Sequence, residues 1–253
     1  FGHGNVAGMG QALEEQKKHL PTFRAHSEQG MVHAAIAYAK ANKRQRMMAC
    51  TSSIGPGATN MITSAALAHV NRLPVLLLPG DFFASRTPDP VLQQLEDFSD
   101  PTISVNDCFK PVSRYFDRIM RPEQIINSLP VAMQTLLDPE NCGPVTLSLP
   151  QDVQAEAFDY PEDFFIKRTH SIRQIDLDDM ELARAVETLL QSKKPFIVAG
   201  GGVHYAKACE TLQKFAEKYQ IPVAETSAGK GAVAWDHPCY VGAIGVTGSN
   251  AAN

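Results

Sequence analysis

The sequence has no long hydrophobic run, and this absence argues against a membrane-spanning segment. Its longest apolar stretches, such as residues 75–78, are far shorter than the roughly 20 residues that a helix needs to cross a bilayer. The first four residues, Phe-Gly-His-Gly, have neither the basic region nor the apolar core of a signal peptide and are typical of the interior of a domain. We therefore expect no membrane partner and a truncated N-terminus.

The chain also lacks an excess of positive charge. Its 23 lysines and arginines are outnumbered by 27 aspartates and glutamates, which gives a net charge of −4. Proteins that bind nucleic acids need basic residues to neutralise the phosphate backbone. The composition therefore argues against nucleic acid as a partner.

Cysteine is scarce, and the cysteines that occur are widely spaced. The five are Cys50, Cys108, Cys142, Cys209 and Cys239. None belongs to a Cys-x-x-Cys pair, so the sequence predicts neither a zinc site nor a disulfide framework. Reduced thiols of this kind fit a cytoplasmic protein.

What the chain does contain is an alternation of β-rich runs and helical patterns, which is typical of an α/β protein with a parallel sheet. In its first part the patterns predict helices over residues 6–19, 28–42, 58–70 and 122–137, and strands over residues 22–26, 47–51, 74–79 and 145–149. Ser27 is suited to cap the helix that starts at Glu28. The long connection over residues 81–110 is rich in turn-forming residues, and connections of that length usually cover a site.

A second unit follows a change in pattern. Residues 156–177 show no clear period, and we interpret them as a linker between a first domain, residues 1–155, and a second, residues 178–253. The second domain is predicted to have helices over residues 178–191 and 204–219 and strands over residues 195–199 and 221–225. Two strands are fewer than the roughly five or six of a typical sheet, so we expect this domain to be partial and the C-terminus to be truncated.

A first candidate site lies where the strand predicted at residues 22–26 passes into a helix. Residues 26–30 are His-Ser-Glu-Gln-Gly, so the helix opens with the carboxylate of Glu28. Ligands of parallel sheets bind at the carboxyl ends of the strands, where such loops meet helix N-termini. A glutamate in a first helical turn is also explained by the helix dipole alone, and its position does not separate the two interpretations.

A second candidate site is the loop over residues 51–60, Thr-Ser-Ser-Ile-Gly-Pro-Gly-Ala-Thr-Asn, which again joins a strand to a helix. The glycines on either side of the proline allow a flat ligand to approach the backbone closely. The loop lacks the Gly-Lys-Ser/Thr ending of a phosphate-binding loop. A plain turn would explain the same Gly-Pro-Gly residues.

Taken together, the two loops resemble the thiamine diphosphate enzymes of the acetolactate synthase type. That family has a His-Glu-Gln-Gly strand end, followed further along the chain by a Thr-Ser-Gly-Pro-Gly-Ala-Thr-Asn loop. This sequence departs from the pattern by one added residue, Ser27, and by padding before Gly55. Residues 143–153, 199–203 and 229–231 are also similar to the family. The resemblance implies a parallel-sheet pyrimidine-binding domain followed by a partial Rossmann-like middle domain.

By this resemblance Glu28 is the residue that activates the cofactor. A carboxyl group hydrogen-bonded to N1′ of the pyrimidine favours the imino tautomer, whose imine removes the proton from C2 of the thiazolium ring. Only a group that shares a proton can do this. Gly55, Pro56, Gly57 and Asn60 are implied to line the pyrimidine pocket or its entrance.

The resemblance also implies groups that this sequence does not supply. The family binds the diphosphate through Mg²⁺ on a Gly-Asp-Gly motif and a later asparagine in a third domain. Gly80-Asp81 is followed by Phe82, so no metal ligand is predicted in this sequence and the Mg²⁺ ligands are expected beyond residue 253. Because the family forms its site between two subunits, we expect a homodimer or homotetramer for the complete enzyme.

Within the family, residues 1–8, 26–28 and 51–54 are most similar to the branch that hydrolyses a carbon–carbon bond of a small cyclic dione in inositol catabolism, giving 5-deoxyglucuronate. The similarity makes His3 a candidate proton donor or substrate contact, although an isolated loop histidine also serves as a backbone or solvent partner. Two alternatives remain: a carboligase or decarboxylase acting on a 2-oxo acid, and a cofactor-free binding domain.

Three residues in the long connection are weaker candidates. Gln93, Gln94 and Glu96 lie where relatives carry a glutamine on the substrate side, but their spacing does not align with it. Two histidines, His33 and His69, fall within helical patterns and are expected at packing or surface positions.

The glycine-rich stretch of the second domain does not predict a nucleotide site. Gly200-Gly201-Gly202 lacks the third glycine of the dinucleotide fingerprint, because Tyr205 occupies that position. No FAD is therefore expected.

Overall fold

The chain divides into two compact units in a computed structural model, which describes residues 3–88, 91, 93–95 and 97–253. The units are Phe1–Ile172 and Arg173–Asn253. The division falls within the segment predicted as a linker, residues 156–177. The domain limits at residues 155 and 178 stay predictions.

The described residues of the first unit form a four-stranded parallel sheet with the strand order β1-β2-β4-β3. Its strands are β1 (Ala49–Ser52), β2 (Val75–Asp81), β3 (Tyr115–Arg118) and β4 (Pro144–Pro150). Its helices are α1 (Ala7–Glu15), α2 (Glu28–Ala41), α3 (Pro56–Thr59), α4 (Ile62–Val70) and α5 (Ile125–Leu136). Short 3-10 helices cover Gly4–Val6, Val105–Val112, Pro122–Gln124, Val153–Ala155 and Glu162–Phe165.

Helices cover both faces of this sheet, as the apolar sequence of β2 predicts. Val75 and Leu77 are fully buried in a cluster with residues of α2 and α4, whereas the alternate residues Leu76 and Leu78 pack in a second cluster with α5. Strands buried on both faces are typical of parallel sheets in α/β proteins. The parallel α/β fold class predicted from the sequence is confirmed.

Three details of the first unit differ from the sequence-based predictions. The strand predicted over residues 22–26 is wrong: these residues are exposed and pair with no strand in the described part of the chain. A short segment rich in β-favouring residues does not form a strand unless a neighbouring strand is there to pair with it. The helix predicted over residues 58–70 is broken after Thr59, and the short edge strand β3 was not predicted because all four of its residues are only half-buried.

The second unit has a smaller sheet. Its described strands are β5 (Ile197–Ala199), β6 (Val223–Glu225) and β7 (Tyr240–Ala243), which pair in parallel in this order. Its helices are α6 (Asp179–Gln191), α7 (Gly201–Tyr205) and α8 (Cys209–Tyr219). The strands predicted near residues 197 and 223 are confirmed, whereas β7 was not predicted, and the helix predicted over residues 204–219 is two helices.

The glycine-rich stretch of this unit is shaped by packing within the unit. A side chain on Gly201 would lie 3.1 Å from the hydroxyl of Tyr205, and one on Gly229 would lie 2.0 Å from the carbonyl oxygen of Ala199. The loop that carries Gly229 therefore crosses directly over the end of β5. No helix in the described parts of either unit is long and apolar enough to cross a membrane.

Candidate active site

A groove of about 780 Å³ opens in the first unit near the carboxyl end of β1. Among the described residues, its lining consists of His3, Glu28, Ser53, Pro56, Gly57, Thr59, Asn60 and Gln93. The fold thus gathers five of the six residues predicted for the site, from three separate segments of the chain. Ser53 and Thr59 were not predicted, because only the folded loop turns their side chains toward the groove.

Glu28 is the first residue of α2 and is half-buried. The hydroxyl of Ser27 accepts a hydrogen bond of 3.1 Å from the backbone N–H of Gly30, so the predicted N-cap is confirmed. This bond fixes the start of the helix and thereby the position of the next side chain. The residue that is added relative to the family pattern is therefore the cap that orients Glu28.

Asn60 holds the Glu28 carboxylate across the groove. The short helix α3 begins with Pro56, a residue suited to a first helical position, and ends at Thr59, so that Asn60 follows as its C-cap. Its side-chain amide donates a hydrogen bond of 2.8 Å to Oε2 of Glu28. A bond from a neutral amide to a carboxylate is stronger than one between neutral groups and restricts the rotamer of both side chains.

The second carboxylate oxygen of Glu28 borders a space that Gly57 leaves open. A Cβ on Gly57 would lie 3.6 Å from Oε1 of Glu28 and 2.6 Å from Oγ of Ser53. A flat ring can enter where a side chain is absent, and the oxygen that Asn60 does not hold is available to it. These residues fit an aminopyrimidine, which presents a ring nitrogen to a carboxyl group.

Gly55 has a different role in the same loop. It is buried, its φ is +72°, and a Cβ at this position would lie 2.0 Å from the carbonyl oxygen of Gln93. Glycine is therefore required here by the backbone itself. Gly55 is not part of the described groove lining, and it shapes the turn that presents Pro56 and Gly57.

His3 lines the groove and is the N-cap of the 3-10 helix Gly4–Val6. Its Nδ1 accepts a hydrogen bond of 3.2 Å from the backbone N–H of Asn5. A nitrogen that accepts a hydrogen bond carries no proton, so the neutral ring has its proton on Nε2. The imidazole therefore offers an N–H donor to a ligand of the groove.

Behind the groove, β2 ends in a fully buried carboxylate, Asp81. Its oxygens accept hydrogen bonds of 2.6 Å from the hydroxyls of Ser104 and Ser148 and from Nε of Arg118. Arg118 also donates to Asp107 at 2.9 Å. Burial acts to lower the pKa of the guanidinium, but the two carboxylates outweigh it and raise that pKa. A buried polar network with this many bonds makes the end of the strand rigid.

The remaining sequence candidates lie in three places. The backbone carbonyl of Gln93 faces Gly55, and Gln93 belongs to the lining of the groove. Gln94 is buried, and neither atom of its amide has a hydrogen-bond partner among the described residues. Glu96 lies outside the described residues. His33 and His69 lie within α2 and α4 and do not belong to the described lining of the groove.

Comparison with known protein families identifies this arrangement. Residues 3–100 match the N-terminal TPP binding domain of the thiamine pyrophosphate enzymes, and residues 182–253 match their central domain. The chain belongs to the thiamine pyrophosphate enzymes. The resemblance seen in its two loops is thereby confirmed. Thiamine pyrophosphate (TPP) is another name for thiamine diphosphate.

Curated relatives match over all 253 residues. A 3D-(3,5/4)-trihydroxycyclohexane-1,2-dione hydrolase of Clostridium tetani is 53% identical. Enzymes of the same name from Geobacillus thermodenitrificans and Bacillus cereus are 54% and 55% identical. The alignments cover 100% of this chain but only 39%, 40% and 39% of the three relatives. The chain thus spans about two fifths of the length of these relatives.

Proposed function

We propose that this chain is part of a thiamine diphosphate-dependent hydrolase that opens 3D-(3,5/4)-trihydroxycyclohexane-1,2-dione to 5-deoxyglucuronate. The observation that carries the proposal is the Glu28 carboxylate, held by Asn60 beside the open space at Gly57. The name shared by the relatives, at 53% to 55% identity over the whole chain, supports the choice of substrate.

Each groove residue has a task in this proposal. Glu28 shares a proton with N1′ of the aminopyrimidine, and Asn60 holds the carboxylate in the rotamer that faces the ring. Gly55, Pro56 and Gly57 shape the wall against which the ring lies. When bound, thiamine diphosphate supplies a nucleophilic carbon that adds to a ketone of the substrate.

His3 is proposed to act on the substrate side. Its Nε2–H can donate to a substrate oxygen, because Nδ1 is engaged by the backbone of Asn5. The overall reaction breaks one ring carbon–carbon bond next to a ketone and adds one water. A donor in the lining of the groove is suited to stabilise negative charge that develops on a carbonyl oxygen during such a reaction.

The whole protein is proposed to bind Mg²⁺ through residues beyond this chain, to assemble as a homodimer or homotetramer, and to work in the cytoplasm. All five cysteines are unpaired, which agrees with a reducing compartment. Burial raises the pKa of the Cys50 thiol to about 12, so this residue packs as an apolar group and plays no part in the chemistry.

An activity assay of the whole protein tests the substrate. With thiamine diphosphate and Mg²⁺ present, we expect the protein to open the ring of the cyclic dione and form 5-deoxyglucuronate. Chromatography of the products measures this reaction. Pyruvate serves as the comparison substrate. Formation of acetolactate from pyruvate without ring opening of the dione would contradict the proposed hydrolase activity and favour a carboligase.

A binding measurement tests the cofactor independently of the substrate. Calorimetric titration of the whole protein with thiamine diphosphate and Mg²⁺ is expected to give saturable binding. A titration without binding heat, repeated at a second temperature to exclude a vanishing enthalpy, would favour a cofactor-free binding domain that keeps the fold.

A further inference from the structure

Asn5 is a buried polar residue to which the proposed function assigns no role. Only 3% of its surface is exposed. It lies in the 3-10 helix Gly4–Val6, two residues after His3, and sequence patterns give it no role. Buried amide side chains are costly unless their hydrogen-bonding capacity is used, so its partners explain its presence.

The side chain of Asn5 joins three separate segments. Its Oδ1 accepts a hydrogen bond of 2.9 Å from the backbone N–H of Ile54, the residue before Gly55. Its Nδ2 donates to the backbone carbonyl of Asp81 at 3.0 Å and to Oε1 of Gln151 at 3.4 Å. One amide thus connects the opening turn, the Gly-Pro-Gly loop and the ends of two strands.

The backbone of Asn5 extends these links to the groove. Its N–H donates to Nδ1 of His3, and its carbonyl oxygen accepts a bond of 3.0 Å from Nε2 of Gln154. The surrounding chain is built to admit this side chain, since a Cβ on Gly80 would lie 1.9 Å from Oδ1 of Asn5. Every polar group of Asn5 is therefore bonded: to the backbone of Ile54 and Asp81, to the side chains of Gln151 and Gln154, or to the His3 ring.

We propose that Asn5 is a positioning residue that sets the location of the His3 imidazole relative to the Gly-Pro-Gly loop. The effect of Asn5 on turnover rests on the proposed function, in which His3 contacts the substrate. His3 and residues of the loop line the same groove, and Asn5 is hydrogen-bonded to His3 and to Ile54 at the start of the loop. Its loss lets the turn and the loop move independently, and a displacement of about 1 Å can reduce turnover by about 10²-fold.

Asn106 provides a matched control within the same unit. It is fully buried, and its Nδ2 donates bonds of 2.7 Å to the carbonyl of Gly80 and to the hydroxyl of Ser148. These two side-chain bonds reach neither the turn at His3 nor the loop at Ile54. Replacing either asparagine by alanine removes a buried amide, so a general loss of stability is common to both variants.

Hydrogen exchange measured by mass spectrometry on the whole protein tests the structural part without any assay of activity. In Asn5→Ala we expect faster exchange in peptides covering residues 51–61, because the Ile54 N–H loses its acceptor, while Asn106→Ala leaves these peptides at the wild-type rate. Asn5→Ser replaces Asn5→Ala if the alanine variant does not fold. Equal exchange in the two variants over residues 51–61 would overturn the proposal.

A double-mutant cycle at saturating cofactor tests the action through His3. We expect Asn5→Ala to lower kcat about 10- to 100-fold alone but less than about 3-fold in a His3→Ala background, since no imidazole is left to position. Asn106→Ala is expected to have the same effect in both backgrounds. If the effects of Asn5→Ala and His3→Ala on kcat were fully additive, the proposal would be overturned. A wild-type protein that is inactive on the dione would instead overturn the proposed function, and the exchange experiment would still test the role of Asn5.

Discussion

The side-chain amide of Asn60 and the carboxylate of Glu28, 32 residues apart in sequence, are joined by a hydrogen bond of 2.8 Å across the groove. The bond occupies Oε2 and leaves Oε1 beside Gly57. A carboxylate held in this way has one oxygen for the protein and one for a ligand. In the proposed function, this division gives Glu28 a role beyond that of a glutamate that only complements the dipole of its helix.

Removal of the Asn60 amide is expected to lower turnover. Hydrogen bonds to charged groups contribute about 1.5–3 kcal/mol, and a loss of about 1.4 kcal/mol corresponds to a tenfold change in rate. We therefore expect Asn60→Ala to reduce kcat of the whole protein by about 10- to 100-fold, as measured by the ring-opening assay. Asn42, the C-cap of α2, is the control: Asn42→Ala removes a bond to the Tyr38 carbonyl outside the groove and leaves kcat at the wild-type value.

Gly57→Ala is expected to weaken cofactor binding without destabilising the fold. Gly57 lies within α3, where alanine is favoured over glycine by about 1 kcal/mol. The added Cβ would lie 2.6 Å from Oγ of Ser53, a hydroxyl that can rotate away, and 3.6 Å from Oε1 of Glu28, so it narrows the space next to the carboxylate. For an entering ring, steric conflicts of this kind cost about 1–3 kcal/mol. Calorimetry should show a dissociation constant for thiamine diphosphate raised by about 5- to 100-fold, with an unchanged or higher Tm. Unchanged affinity would mean that the ring does not lie at Gly57.

Gly55→Ala, in contrast to Gly57→Ala, is expected to destabilise the fold. Its φ is positive and an added Cβ would lie 2.0 Å from the carbonyl oxygen of Gln93, so a side chain is incompatible with the loop. Backbone strain of this kind costs about 1–3 kcal/mol, so the free energy of unfolding and Tm should both decrease. Gly202→Ala, within α7 at a position where a Cβ meets nothing within 4 Å, is the control and should leave Tm unchanged or higher.

Local motifs explain why much of the site could be predicted from the sequence. Glu28 and Gly57 belong to two short sequence patterns. The first contains a carboxylate that can share a proton, and the second contains glycines that let a ligand approach the backbone. Asn5 could not be predicted, since its partners Ile54 and Asp81 are distant in sequence and its neighbours show no periodicity. Ser53 reaches the groove only because the padded loop folds back toward Gly57.

Elements were predicted where burial creates a pattern and missed where it does not. β2 is apolar on both faces and was predicted within two residues at its end. β3 is a half-buried edge strand and β7 is half-buried along its whole length, so neither has a distinctive pattern. The strand predicted over residues 22–26 failed because composition carries no information about whether a neighbouring strand exists.

Acid is expected to weaken the network behind the groove through Asp107. Burial acts to raise the pKa of this carboxyl, but hydrogen bonds from Arg118 and Lys110 and from the backbone of Ser104 outweigh it, so that the pKa lies below its usual value of 3.8. Because the folded-state pKa is the lower one, the carboxylate stabilises the fold above the pKa of the unfolded chain. This stabilisation is lost as the pH falls from there through the folded-state pKa.

The corresponding variant is Asp107→Asn. We expect its Tm to be lower than that of the wild type at pH 7 and the difference to shrink as the pH is reduced toward 3, measured by thermal denaturation across this range. Asp159→Asn, at an exposed position, is the control and should follow the wild-type curve. A difference in Tm that stays constant with pH would contradict the assignment.

The most direct test of the account is the turnover of Glu28→Gln in the whole protein, with thiamine diphosphate occupancy measured in the same sample. Glutamine keeps the size of the side chain but cannot share a proton, so we expect kcat to fall by about 10²- to 10⁴-fold. Glu181→Gln, in the first turn of α6, controls for the loss of a helix-dipole charge and should keep wild-type turnover. Near-normal turnover of Glu28→Gln with bound cofactor would contradict the central claim.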